Sequence, residues 1–242
     1  MEYFKISLRP HKKIVNSDYC ESLIFESFTI LGKTGQVYNN FQVVREENGY
    51  SVYAIMPGAD ALDLAFCSEE TVEIVKKIAA IFSLRVESLG NVITCEDSCT
   101  CEEPTWYMLY SDLATSESPM ICGDCGKPVP LYKLPMILDN EGGSVLLNWQ
   151  EEKRAISMLD TANYAPEYTA EQIYSPSSRL NKTGRALCRA IEKAKNVPVF
   201  YYMELEKAKR GNNCPICGRE LSRSANNEIA GNLCTFCRIA LD

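Results

Sequence analysis

The chain has 242 residues, 46% of them hydrophobic and 24% charged, with a formal net charge of −7 and a single histidine. This is the composition of a globular protein with a sizeable core. No apolar run approaches a membrane span and Met1–Lys5 shows no secretory pattern, so a cytoplasmic protein without membrane association is expected.

Residues 3–9 alternate apolar and polar, predicting a half-buried strand closed by Pro10. Ser17 or Asp18 is the expected cap of a helix carrying Leu23, Ile24, Phe28 and Leu31, ended by Gly32. Residues 41–44 and 51–55 read as two strands joined through Glu46-Glu47-Asn48-Gly49. Ser68 is expected to cap a helix from Glu69 to Phe82, with Val72, Ile74, Val75, Ile78 and Ala79 inward, and a strand follows over roughly 84–93. Strand, helix, strand, strand, helix, strand is the order of a ferredoxin-like sandwich. Residues 1–94 are therefore expected to form a ferredoxin-like α+β domain.

The chain then changes character. Residues 95–104 are acidic and carry Cys95, Cys99 and Cys101; a short strand at 106–110 leads to Cys122-Gly-Asp-Cys125-Gly126. A C-x-x-C turn directs two thiolates at one metal, and a glycine after it relieves the turn. The most economical second zinc site is Cys99, Cys101, Cys122 and Cys125. Cys95 in place of Cys99 or Cys101, a redox pair, or no metal are the alternatives. Residues 95–140 are the expected zinc-knuckle segment. Within it, Lys127–Pro135 has three prolines and must run extended, strapping Leu131, Tyr132 and Leu134 over an apolar surface.

Residues 141–208 are expected to be helical and to end in a strand. Val145–Ala162 would bury Leu146, Trp149, Ala155 and Leu159. Ser178–Lys195 would bury Leu180, Leu187, Ala190 and Ile191, and Val197–Leu205 is the strand. Over 209–242, Cys214-Pro-Ile-Cys217-Gly218 is followed after 16 residues by Cys234-Thr-Phe-Cys237, the pattern of a C-terminal zinc ribbon. Four thiolates leave no open coordination position, so both Zn2+ sites are expected to be structural.

The run Ser118–Pro135, Trp149-Gln150, Gly184–Glu192, Val197–Tyr202 and the terminal cysteine pairs resemble an uncharacterised bacterial family of zinc-ribbon-containing proteins. The resemblance covers about residues 95–242 and implies metal binding and a nucleic-acid partner.

Catalytic candidates are few. His11 stands in the basic turn Arg9-Pro-His-Lys-Lys13, and neither a phosphate-cradling nor a dinucleotide-binding glycine motif is present. The expectation is a non-enzymatic protein. Residues 177–242 carry 12 Lys/Arg against 6 Asp/Glu, whereas 95–150 carry 2 against 9. Arg179, Lys182, Arg185, Arg189, Lys193, Lys207, Lys209 and Arg210 are the expected contacts to DNA or RNA, with Phe200, Tyr201, Tyr202 and Phe236 as stacking surfaces. The alternative is a protein-interaction module, an adaptor or a toxin-neutralising protein. Its rigid zinc ribbons would form the platform, and the acidic middle would meet a basic partner protein.

Overall fold

The computed structural model describes residues 1–13, 16–38, 40–67, 69–114, 117–134, 142–206, 211–223 and 230–241. It is a mixed α+β structure with two sheets, divided into two compact units. The first comprises Met1–Ser98 with Pro130–Leu134; the second comprises Cys99–Val129 and the chain from Val145 onward.

The first unit runs β1 (Glu2–Pro10), α1 (Ser17–Lys33), β2 (Gln42–Glu46), β3 (Gly49–Met56), α2 (Glu69–Ile81) and β4 (Phe82–Asn91). Its sheet has the order β2-β3-β1-β4, with every neighbouring pair antiparallel. Alternation along β1 and β3 puts Phe4, Ile6 and Leu8 beside Tyr50, Val52, Ala54 and Met56 on one face. Helix α1 lays Cys20, Leu23, Ile24, Phe28 and Leu31 on that face at helical spacing, and α2 adds Ile78. Asn16 caps α1, its side chain accepting from the Tyr19 amide at 3.0 Å, so the cap lies one residue before the expected Ser17 or Asp18. Ser68, the expected cap of α2, lies outside the described residues.

The proline-rich strap does reach an apolar surface. Leu131–Lys133 form a single 3-10 turn that buries Leu131 and Tyr132 in this unit. The Tyr132 hydroxyl donates to Asp60 at 2.6 Å, and Lys133 pairs with the other oxygen of that carboxylate at 2.9 Å.

The second unit contains β5 (Tyr107–Leu109), β6 (Met120–Cys122), α3 (Gly142–Thr161) from Val145 onward, α4 (Pro166–Tyr174), α5 (Arg179–Lys195), β7 (Val199–Tyr202), β8 (Ser222–Arg223), β9 (Asn232–Cys234) and β10 (Ile239–Leu241). Its sheet has the order β6-β5-β7-β10-β9-β8. Strand β7 lies parallel to both β5 and β10, so it joins the hairpin of the first cysteine group to that of the second. Tyr201 points to the helix side, where its ring meets Trp149 edge-on and its hydroxyl donates to Asn181 at 2.6 Å. Phe200 and Tyr202 point the other way and pack edge-on against Trp106 and Tyr110.

Helix α3 departs from the expected burial. Its inward stripe is Leu146, Trp149, Gln150, Lys153 and Ile156, while Ala155 and Leu159 are exposed. Two polar side chains displace the apolar stripe because each has a dedicated partner. Gln150 donates to the Glu117 carbonyl at 2.7 Å, and the Lys153 ammonium meets Glu204 at 2.6 Å.

Candidate metal centres

Cys99, Cys101, Cys122 and Cys125 come together, and so do Cys214, Cys217, Cys234 and Cys237. Within each group all four sulfurs lie within 4.8 Å of one another. Sγ–Sγ separations of 3.5 Å (Cys125–Cys99) and 3.7 Å (Cys217–Cys234) are far too long for disulfides. They match the roughly 3.8 Å edge of a tetrahedron with metal–sulfur bonds of about 2.3 Å. Both groups are therefore arranged to hold a metal ion. Cys95 stands outside them.

The turns explain how the sequence builds this. At Cys122–Gly126 and at Cys214–Gly218 the glycine amide donates to the carbonyl of the first cysteine at 2.9 Å in each case. The first cysteine's own amide bonds the residue after the glycine, Lys127 at 2.9 Å and Arg219 at 2.7 Å. Both glycines are left-handed, φ +73° and +72°. Backbone amides also aim at sulfur: Cys101 at Cys99 (3.4 Å), Ile216 at Cys214 (3.4 Å) and Cys237 at Cys234 (3.3 Å). Such donors favour thiolate.

Protonation sets the groups' chemistry. Burial raises the Cys99, Cys214 and Cys237 thiols and pushes Cys122 up to about 11. Cys217 is lowered to about 7, chiefly by the Arg219 amide. Four crowded thiols cannot all ionise unaided, and a dication would supply the compensating charge.

Two anchors escape a reading by motif. Gly123 packs so closely on the Trp106 ring that an added Cβ would stand 2.0 Å from it, fixing the first knuckle to the start of β5. After Cys237 the left-handed position is filled by Arg238, φ +53°. Its Nε donates to both oxygens of Glu192 at 3.1 Å, and Nη1 donates to the Thr235 carbonyl at 3.0 Å. Glu192 Oε2 also accepts from the Val199 amide at 3.2 Å. One carboxylate thus ties α5, β7 and the ribbon. An arginine where the other two knuckles carry glycine is the available sequence signal.

The basic set does not stay together. Arg179 pairs with Glu152. Arg185 is held inward, Nη2 donating to the Pro176 carbonyl at 2.6 Å and Nε to that of Asn181 at 3.2 Å. Lys182, Arg189 and Lys193 are exposed on one stripe of α5. Lys207, Lys209 and Arg210 lie outside the described residues. Tyr201 is buried beneath α5, and Phe200 is buried on the opposite face of the sheet. Phe236 is 63% exposed, with the Arg219 guanidinium stacked 3.5 Å above its ring. The expected joint surface of α5 cations and β7 aromatics is therefore not assembled.

Residues 101–204 match the family model described as "Domain of unknown function (DUF2310)". Two proteins of Haemophilus influenzae, each described as "Uncharacterized protein", are similar to the chain. One is 28% identical over 70% of this chain and 68% of its own length; the other is 29% identical over 54% and 66%. The matches support an uncharacterised bacterial family.

Similar solved structures include SnoaB, a cofactor-independent oxygenase from Streptomyces nogalater. It is 15% identical, covering 38% of this chain and 93% of that one, with a TM-score of 0.31. Another is "protein YJCS", 11% identical, covering 38% and 99%, with a TM-score of 0.31. An enzyme among these neighbours corrects the expectation of a non-enzymatic protein; at these TM-scores the likeness assigns no activity. No helix among the described residues is long and apolar enough to cross a membrane.

Proposed function

We propose that the chain is a cytoplasmic bacterial protein that binds nucleic acid, with a structural Zn2+ in each four-cysteine group. Both ions would be fully ligated by thiolate and would hold the hairpins that flank β7. The observation that carries the reading is the outer stripe of α5. Lys182, Arg189 and Lys193 have no carboxylate partner among the described residues and span about 16 Å of helix. That length suits successive phosphates. Support also comes from Phe236 under Arg219, an exposed aromatic–cation pair of the kind that stacks on unpaired bases. The first unit we read as a ferredoxin-like sandwich, supported by its element order and all-antiparallel sheet.

The test is a fluorescence-anisotropy titration of the metal-loaded protein with short single-stranded and duplex DNA and RNA at several salt concentrations. Binding should weaken with salt, and Lys182→Glu with Arg189→Glu and Lys193→Glu should lower the log–log slope by about 2 to 3. No binding at low salt, or a slope the triple variant leaves unchanged, would retire the reading.

A second reading has its own observation. Met158, Leu159, Tyr164 and Tyr168 are exposed around the α3–α4 corner, and Glu151, Glu167 and Glu171 are exposed on the same helices. A protein partner with an apolar anchor and a basic rim fits that corner. The failed titration would point there.

A further inference from the structure

Strand β4 stands out as an interaction surface. Among the described residues it is the edge of the first sheet, paired only with β1, and all of Ser83–Asn91 is exposed. Leu84 and Val86 are each 41% exposed and Leu89 50%. Edge strands are usually blunted by lysine, proline or a bulge. β4 has no lysine or proline, and its one irregularity, at Leu89–Gly90, leaves Leu84–Ser88 regular.

The charges of this segment are opposite in sign and equally spaced about its centre. Arg85 and Glu87 flank Val86, both exposed and without an ion-pair partner among the described residues. Two copies of β4 aligned antiparallel with Val86 opposite Val86 place each Arg85 against the other copy's Glu87. Leu84 then faces Ser88. Sliding the pair so that residue 85 faces residue 85 sets arginine against arginine; sliding the other way, with 87 facing 87, sets glutamate against glutamate. Directly opposed unlike charges stabilise a strand pair and like charges destabilise it. The segment therefore specifies one register for itself.

We propose that the protein self-associates by pairing β4 with β4 of a second copy, antiparallel about a two-fold axis through Val86. The result is one eight-stranded sheet. Leu84 and Val86 lie on the helix-bearing face, in register with Leu8 and Ile6, and the pairing shields them there. An edge of five residues is smaller than the roughly 800 Å² per partner of a stable interface, so the dimer forms in a concentration-dependent way.

Sedimentation velocity of the full metal-loaded chain, over concentrations up to roughly 100 μM, tests this. The wild type should shift from monomer to dimer. Arg85→Glu and Glu87→Arg should each weaken self-association about tenfold or more. An equimolar mixture of the two should regain dimer, because one variant then presents glutamate at both positions and the other arginine at both, so every facing pair is of unlike charge. The double swap, Arg85→Glu with Glu87→Arg, should also dimerise, which guards against loss of fold in either single variant. A wild type that stays monomeric overturns the proposal, as do single variants that dimerise like wild type. So does a mixture and a double swap that both remain monomeric, since the charges would then act outside this register.

Discussion

The two units reach order by different routes. In the first, strands of five to ten residues and two helices close over a continuous apolar core, with Phe4, Ile24, Phe28 and Phe82 among its buried members. In the second, no strand among the described residues exceeds four residues, and the outer hairpins hold their cysteines with two or three residues of pairing. Strands that short cannot stand on burial and ladder hydrogen bonds alone. What the sheet lacks in length, two metal tetrahedra would supply at its ends. The first unit is built by pattern, and the second carries two cysteine groups through which ligation would hold it.

The largest effect should therefore come from taking the metal away. Chelation, or Cys122→Ser at a fully buried member of the first cysteine group, should unfold the hairpins of the second unit, because structural zinc binding of about 10–16 kcal/mol would also be folding energy. The first unit should keep its secondary structure. Hydrogen exchange resolved by peptide checks this: protection should vanish over β5, β6, β9 and β10 while β1 and β3 stay protected. Equal loss in both units would erase the distinction.

The converse experiment should act on the first unit alone. Phe28, on the inward face of α1, is almost fully buried, and Phe28→Ala should cost about 3–5 kcal/mol through lost transfer energy and the cavity left behind. Metal stoichiometry by native mass spectrometry should remain two ions per chain. Loss of either ion would show that the units are not separable in this way.

The same contrast explains what could be read from residues alone. Over 1–94 the elements fall where period-2 and helical spacing put them, because long strands and an amphipathic α1 write a strong pattern. The cysteine groups were legible from spacing, including the Cys99-x-Cys101 pair, because thiolate ligation constrains sequence tightly. The joining of both hairpins through β7 was not legible, since three-residue strands carry too little alternation to reveal a partner. Nor was α4, although Pro166 at its first turn is a start signal. The burial of Lys153 was not legible either, because nothing local announces Glu204, 51 residues away.

The smallest effect concerns Arg238, where the ribbon meets the rest of its unit. A non-glycine residue at φ +53° costs about 1–2 kcal/mol relative to an ordinary backbone conformation. Against that stand the bonds to Glu192 and to the Thr235 carbonyl, with charge-assisted hydrogen bonds worth roughly 1.5–3 kcal/mol. Arg238→Ala keeps the strain and loses the bonds, so it should destabilise the metal-loaded second unit by about 2 kcal/mol. Arg238→Gly loses the same bonds but relieves the backbone, and should fall about 1 kcal/mol short of that loss. Denaturant unfolding followed by tryptophan fluorescence gives both values, since Trp106 and Trp149 both lie in this unit. The order wild type, glycine, alanine means the arginine holds the ribbon through Glu192. A glycine variant more stable than wild type would mean the ion pair contributes less than the strain it imposes, leaving the thiolate tetrahedron to position the ribbon by itself.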